Sequence, residues 1–141
     1  ESTVAELPDG SLMLNMRSYH GRNRRAVSIS RDGGETWSEP MLDEALVEPV
    51  CQASLLRVGS GSGAVLLFAN PASVERRNMT VRLSRDGGRT WPVSRVIHAG
   101  PAAYSNLVEL GKGWIGLLYE RGAEQPYETI SLARFRLDSL Q

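Results

Sequence analysis

The sequence predicts an all-β fold, made of repeated units of short antiparallel strands. One octet occurs twice, as SRDGGETW at residues 30–37 and as SRDGGRTW at residues 84–91. Each copy follows an alternating run, RAVSIS or MTVRLS, and alternation at period two is typical of a half-buried strand. No stretch of ten or more residues has a convincing helical period. Repeated four-stranded units of ~40–50 residues are typical of β-propeller blades, so we expect about three such blades.

A second element recurs out of phase with the octet. The stretches TVAELPDGSLMLNM, SLLRVGSGSGAVLLFA and NLVELGKGWIGLLYE each predict a strand, a tight turn and a strand. Their turns contain Gly10, Gly63 and Gly113. Near the end, YETISLARFRL alternates regularly and predicts a closing strand. The sequence therefore predicts β-structure throughout.

The octet itself predicts a hairpin turn. Asp-Gly-Gly supplies positions that accept a positive φ, and Asp32 or Asp86 can accept hydrogen bonds from its own turn. The tryptophan that ends each octet, Trp37 or Trp91, is expected to bury its ring where the next strand begins. Alternatively, the two aspartates could be catalytic or metal-binding carboxylates. Their presence in both copies favours the structural role, because a single active site rarely needs the same residue twice.

The composition excludes several classes of function. Lysine plus arginine and aspartate plus glutamate number 16 each, so no overall field favours nucleic acid or an anionic membrane. Apolar runs such as AVLLFA are strand-sized and far shorter than the ~20 residues of a membrane helix. The one cysteine, Cys51, rules out an internal disulfide and is expected to be buried filler. The start at Glu1, without a methionine or a signal-peptide pattern, suggests a processed product or a fragment.

Polar side chains stand where predicted strands end or would normally be apolar. Five residues have this property: Glu1, Arg17, Arg76, Tyr104 and Glu120. The innermost strand of each propeller blade lines a central channel, so side chains at equivalent strand ends should converge at one mouth of it. Two arginines and a carboxylate there would form an anion site, because guanidinium groups bind carboxylates in a bidentate manner. Five other arginines are expected at the surface: Arg22, Arg24, Arg25, Arg31 and Arg85.

The octet matches S-x-D-x-G-x-T-W, the Asp box of sialidases and of other Asp-box propellers. The stretches ESTVAELPDGSLMLNMRS, RRNMTVRLSRDGGRTW, AAYSNL and IGLLYERG also resemble, in the same order, the second half of an exo-α-sialidase. This resemblance implies that residues 1–141 form the C-terminal part of a six-bladed sialidase propeller, whose N-terminal blades are missing. It also implies retaining hydrolysis of terminal sialic acid from glycoconjugates, without a metal or other cofactor. A secreted, periplasmic or lysosomal location is favoured.

The resemblance assigns a role to each matching residue. Tyr104 matches the nucleophile and Glu1 the base that activates it. Arg17 and Arg76 match the second and third members of a triad that binds the substrate carboxylate, with Arg77 as the alternative to Arg76. Glu120 matches a glutamate that orients the first triad arginine. From its place in the sequence, Gln52 is expected to border the substrate pocket.

The chemistry of sialic acid explains these residue types. Its anomeric carbon carries a carboxylate, which would repel a carboxylate nucleophile, and sialidases are known for using tyrosine instead. Segments matching the first triad arginine and the general-acid aspartate are missing, so we expect residues 1–141 to be inactive alone. Two alternatives remain open. One is a non-catalytic Asp-box propeller that binds glycan or protein, and the other is a related glycoside hydrolase that acts on another sugar acid or by internal transfer.

Overall fold

The computed structural model describes residues 1–140, which form two antiparallel sheets. The first sheet contains, in spatial order, β1 (Ser2–Glu6), β2 (Leu12–Met16), β3 (Arg24–Ser30) and β4 (Met41–Val47). The second contains β5 (Ser54–Val58), β6 (Val65–Pro71), β7 (Arg77–Ser84), β8 (Val93–Gly111), β9 (Trp114–Arg121) and β10 (Thr129–Arg136). Two short 3₁₀ turns lie at Gly61–Gly63 and Leu137–Leu140. Within residues 1–140, no helix is long and apolar enough to cross a membrane.

The long strand β8 belongs to two successive units. Residues 93–101 pair with β7, and residues 102–111 pair with β9. The register shifts between Ala102 and Ser105, at the point where the strand passes from one partner to the other. The six-stranded sheet is therefore one complete four-stranded blade followed by three strands of the next. Together with the first sheet it forms a nearly all-β, curled arrangement of about three blades, as the sequence predicted.

The core lies between successive blades. One cluster joins the first blade to the second and includes Met13, Leu46, Phe68 and Trp91. The other joins the second blade to the third and includes residues of β6, β7, β9 and β10 such as Leu67, Val81, Ile115 and Phe135. The middle blade is covered on both faces, so β6 is buried along its whole length. This explains why VLLFA is a continuous apolar run and not an alternating one.

Each Asp box closes on itself and links the third and fourth strands of a blade. In the second copy, Ser84 Oγ donates to Asp86 Oδ1 at 2.7 Å, and Thr90 donates to Asp86 through N (2.9 Å) and Oγ1 (2.6 Å). Asp32 makes the equivalent bonds with Ser30 and Thr36. Both carboxylates thus accept hydrogen bonds from within their own turns, as expected if their role is structural.

The two tryptophans of the Asp boxes differ in burial. Trp91 is 8% exposed, packs against Phe68 and donates from Nε1 to Asp43 Oδ2 of the preceding blade at 3.1 Å. Trp37 is 38% exposed, and its Nε1 donates to Gly34 O at 3.0 Å. The expectation of a buried ring is therefore right for Trp91 and wrong for Trp37. Burial of this ring needs a preceding blade to pack against, and β1 begins the first blade within residues 1–140.

Candidate functional site

The innermost strands of the three blades bring polar residues together at one end. These strands are β1, β5 and the second half of β8. Glu1 directly precedes β1, Gln52 lies two residues before β5, and Tyr104 lies at the register shift of β8. Because the blades repeat side by side, the same end of each inner strand faces the same centre. Side-chain contacts between the strands confirm that the three ends are neighbours.

Tyr104, Glu1 and Arg17 form a continuous hydrogen-bonded row. The Tyr104 hydroxyl donates a short hydrogen bond to Glu1 Oε1, across 103 positions of sequence. Arg17 Nη1 donates to the other carboxylate oxygen, Oε2, at 2.7 Å. The Arg17 backbone also donates to Glu1 O at 2.9 Å, which fixes the end of β2 beside the start of β1. One carboxylate is therefore shared between a phenol and a guanidinium group.

This row sets the protonation of its members. The hydrogen bond from Tyr104, followed by that from Arg17, lowers the pKa of Glu1 to about 2. The same bond to Glu1 raises the pKa of Tyr104 above its ordinary value. At neutral pH Glu1 is ionised and Tyr104 keeps its proton. The geometry thus presents a base in contact with the hydroxyl from which it would take a proton.

Arg76 also lies next to the Tyr104 ring. Its guanidinium carbon is 5.8 Å from the centre of that ring and 5.9 Å from the centre of the Tyr127 ring. Arg76 Nη1 also donates a short hydrogen bond to the Tyr127 hydroxyl. The neighbouring Arg77 is directed elsewhere, with a side chain that is 54% exposed and a Glu75 carboxylate 3.9 Å away. Of these two arginines, Arg76 is the one that faces Tyr104.

Two further polar side chains hold the backbone around Tyr104. Gln52 Nε2 donates to Ser105 O, and Ser105 N donates to Gln52 Oε1, both at 2.9 Å. Glu120 Oε2 accepts the N–H of Tyr104 at 3.0 Å. No arginine among residues 1–140 forms an ion pair with Glu120. Within the described chain, Glu120 therefore contacts the tyrosine backbone, and Gln52 ties the start of β5 to β8.

A second expectation from the sequence is wrong. Arg25 is expected at the surface, but its side chain is fully buried and paired with Glu48, whose carboxylate is also buried. The alternation of β3 indicates this burial, because Arg25 lies on the same face of the strand as Val27 and Ile29, which pack against the core. The partner could not be found in this way, since Glu48 lies in the connection between β4 and β5.

The contact between Tyr127 and Arg76 was also missed by sequence reasoning. Tyr127 lies in the loop between β9 and β10, far from Arg76 in the sequence. The Glu128 carboxylate accepts the N–H groups of Ala123, Glu124 and Gln125, which closes this loop. No pattern among neighbouring residues of the sequence predicts a contact between residues so far apart.

Open hollows flank the cluster. One, of about 240 Å³, is lined by Gln52, Tyr104 and Glu120 together with residues of β8, β9 and β10. Another, of about 430 Å³, lies beside Arg76 and is bordered by Glu75, Pro101 and Pro126. The first hollow opens on the face of the third blade that carries the exposed Leu118 and Ile130, and the second is bordered by Arg77 as well as Arg76.

Comparison with known proteins places this chain in a family. Residues 1–117 match the family model described as "BNR repeat-like domain". The sialidase of Micromonospora viridifaciens is 40% identical over 140 residues, which is 94% of this chain and 22% of that protein. The sialidase of Bacteroides fragilis (strain YCH46) is 39% identical over 142 residues, or 94% of this chain and 26% of that protein.

A solved structure agrees with these matches. The structure described as Hadza microbial sialidase Hz136 superimposes with a TM-score of 0.85 at 38% identity, over 99% of this chain and 28% of that one. The chain thus spans about a quarter of the length of the sialidases it matches. The family model covers most of the 141 residues and the fold agrees over nearly all of them. The chain therefore belongs to the sialidase family of BNR-repeat β-propellers.

Proposed function

We propose that this chain supplies part of the active site of a retaining exo-α-sialidase, with Tyr104 as nucleophile. The observation that carries this proposal is the row in which the Tyr104 hydroxyl and Arg17 share the Glu1 carboxylate. A phenol with an ordinary pKa near ~10 is a poor nucleophile at neutral pH, so it needs a base in direct contact. Glu1 occupies that position and is ionised.

In the proposed reaction, Arg17 and Arg76 bind the carboxylate of a terminal sialic acid. The Tyr104 oxygen attacks the anomeric carbon while its proton passes to Glu1, and the bond from that carbon to the departing oxygen breaks. In the second step, water attacks the same carbon and loses its proton to the group that protonated the departing oxygen. Tyr104 leaves and takes its proton back from Glu1, so the sugar is released with the configuration retained. Two carboxylate-binding arginines next to the ring also favour the phenolate, because positive charge stabilises the ionised form.

The free site opposes this proton transfer. The bond between Glu1 and Tyr104 lowers the pKa of the first and raises that of the second, so the proton stays on the phenol. Binding of a substrate carboxylate would draw Arg17 partly away from Glu1, which makes Glu1 a stronger base. Substrate binding is thus proposed to prepare the proton transfer.

The departing oxygen needs a proton donor, and the proposal places that donor outside the cluster. The five aspartates of the chain are used elsewhere in hydrogen bonds: Asp9, Asp32, Asp43, Asp86 and Asp138. We propose that further blades of the same propeller contribute the acid and another arginine. The proposed partners of this chain are therefore those blades and a sialylated glycan.

A binding module without hydrolysis is the second candidate. The observation in its favour is that residues 1–140 hold two arginines for an anion but no free aspartate at the cluster. Such a protein would retain a sialylated glycan without cleaving it, and would gain nothing from the contact between Glu1 and Tyr104.

Turnover of a fluorogenic sialoside by the intact protein separates the two candidates. Tyr104→Phe removes the attacking oxygen and is expected to lower kcat at least about 1000-fold, because the covalent step is lost. Tyr119→Phe is the matched control, since Tyr119 faces His98 on the neighbouring strand and should keep full activity. An unchanged kcat in Tyr104→Phe would exclude the nucleophile role, and an inactive, folded wild type would favour the binding module.

A further inference from the structure

A buried ion pair lies directly behind the candidate site. Arg25 Nη1 and Glu48 Oε2 are 3.1 Å apart, and their side chains are 0% and 1% exposed. Arg25 also donates to Asn15 Oδ1 from Nε and to Cys51 O from Nη1, each at 2.7 Å. Such a pair is seldom more stable than apolar side chains of the same volume, because both charges lose their hydration. Its presence therefore suggests a purpose beyond stability.

The two oxygens of Glu48 contact two segments of the site. Oε1 accepts the N–H of Ser18 at 2.8 Å, and Oε2 accepts the N–H of Cys51 at 3.1 Å. Ser18 directly follows Arg17, and Cys51 directly precedes Gln52. One carboxylate therefore joins the end of β2 to the segment that leads into β5.

The connection continues to the tyrosine. Gln52 exchanges two hydrogen bonds with the backbone of Ser105, which directly follows Tyr104. The path from Glu48 to Tyr104 thus consists of the Cys51 amide, the Gln52 side chain and the Ser105 backbone. Every hydrogen bond along it is between 2.9 and 3.1 Å long.

We propose that the Arg25–Glu48 ion pair is a positioning device, which fixes the backbone at Arg17 and at Gln52 and, through Gln52, at Tyr104. The roles of Arg17 and Tyr104 in this inference rest on the proposed function. A carboxylate suits the task, because it accepts both N–H groups and the guanidinium at once. A neutral glutamine would turn an N–H₂ donor toward one of these donors, and Arg25 compensates the charge that the carboxylate brings into the interior.

Hydrogen exchange of the unmodified protein tests the geometric part without any substrate. The amides of Ser18 and Cys51 lie outside the strands, yet they should be protected about as well as amides inside β3 and β5. They should also exchange through one common opening, since they donate to the two oxygens of one carboxylate. Rapid exchange of either amide, as in an exposed loop, would overturn the proposal even if every variant below failed to fold.

The double variant Arg25→Met/Glu48→Gln tests the functional part. It removes both charges and leaves no unpaired ion in the interior. We expect faster exchange at Ser18, Cys51 and Ser105, and a KM for a fluorogenic sialoside raised about tenfold, because small displacements of binding groups are costly. The measurement is made well below Tm, where the variant is folded. An unchanged KM and unchanged exchange, with only Tm lowered, would show a purely structural role.

A matched control makes the same chemical changes at the other end of the inner strands. Arg57 and Glu6 form an ion pair of 3.3 Å between β5 and β1, away from Tyr104. Arg57→Met/Glu6→Gln should leave KM and the exchange of Ser18 and Cys51 unchanged. An equal rise of KM in this control would overturn the assignment to Arg25 and Glu48. If the wild type hydrolyses no sialoside, the proposed function fails, while the exchange results still decide whether the ion pair holds these segments.

Discussion

At the scale of single residues, the proposed chemistry depends on which groups share the Glu1 carboxylate and which surround the Tyr104 ring. Glu1 is held by Tyr104 on one oxygen and by Arg17 on the other. Arg76 is placed over the ring and against the Tyr127 hydroxyl. To bind a sialic acid carboxylate, both arginines would use the paired N–H donors of their planar guanidinium groups. The geometry of each group should therefore be more important for binding than its positive charge alone.

Arg76→Lys and Arg77→Lys separate the two arginines that the sequence left as alternatives. Lysine keeps the positive charge but loses the planar fork, so Arg76→Lys should raise KM for a fluorogenic sialoside about tenfold or more. Arg77→Lys serves as the control and should change KM less than about twofold, because Arg77 is exposed and lies near Glu75. Steady-state kinetics of the intact protein decide between them. The reverse ranking would assign the substrate carboxylate to Arg77.

The pH behaviour of Tyr104 offers a second residue-level prediction. Glu1 raises the pKa of Tyr104 through a hydrogen bond and through its negative charge. Glu1→Gln removes the charge, so the Tyr104 hydroxyl should lose its proton at a lower pH than in the wild type. The measurement is an NMR titration of ring-labelled tyrosine, with the Tyr104 signal identified by its loss in Tyr104→Phe. Glu6→Gln, at the other end of β1, should leave this titration unchanged. A Tyr104 pKa that rises or stays constant in Glu1→Gln would contradict the contact.

At the scale of elements, the loop between β9 and β10 brings Tyr127 to Arg76. Its shape depends on Glu128, whose carboxylate accepts three successive backbone N–H groups. These bonds, led by that of Ala123, lower the pKa of Glu128. The depressed pKa means that the carboxylate supports the loop above its ordinary titration range, and that the support is lost as the pH falls through the lowered pKa. At neutral pH the Glu128 carboxylate is therefore ionised and supports the loop.

Gly122→Ala tests the coupling between this loop and the site. A Cβ at Gly122 would lie 1.9 Å from Gln125 O and 2.6 Å from the Glu128 carboxyl carbon, so the loop must shift. We expect a loss of about 2 kcal/mol in the free energy of unfolding and a higher KM, because Tyr127 moves away from Arg76. Gly63→Ala, where a Cβ meets nothing within 4 Å, is the control. Thermal unfolding and kinetics provide the two values. An unchanged KM together with a lower stability would show that the loop does not support Arg76.

Features that depend on residues close together in the sequence could be predicted, whereas contacts between distant residues could not. The Asp boxes and the strand alternation are local, so the blades and the turns were predictable. The family pattern placed Glu1, Arg17, Arg76 and Tyr104 in roles that remain proposals, although the structure brings these side chains together. The burial of Arg25 could have been inferred from its parity with Val27 and Ile29, but its pairing with Glu48 depends on how the connection between β4 and β5 packs against β3.

At the scale of the whole molecule, packing repeats from blade to blade. Both faces of the middle blade are covered, whereas one face of the third blade carries exposed apolar side chains within residues 1–140. These are Val108, Leu110, Leu118, Ile130 and Leu132. The first blade has a comparable open face, where Val4 is exposed. Apolar patches of this kind are typical of surfaces that another element covers. They agree with the proposal that further blades pack on both sides and complete the site.

The central claim is that Tyr104 becomes covalently bound to the sugar, with Glu1 as its base. The most direct measurement treats the intact protein with a fluorinated sialosyl fluoride, which slows the breakdown of a glycosyl-enzyme, and then identifies the labelled peptide by mass spectrometry. We expect one sialosyl group per chain, attached to Tyr104, absent from Tyr104→Phe and formed much more slowly in Glu1→Gln. A label on another residue, or turnover of the sialoside without any label on Tyr104, would contradict it.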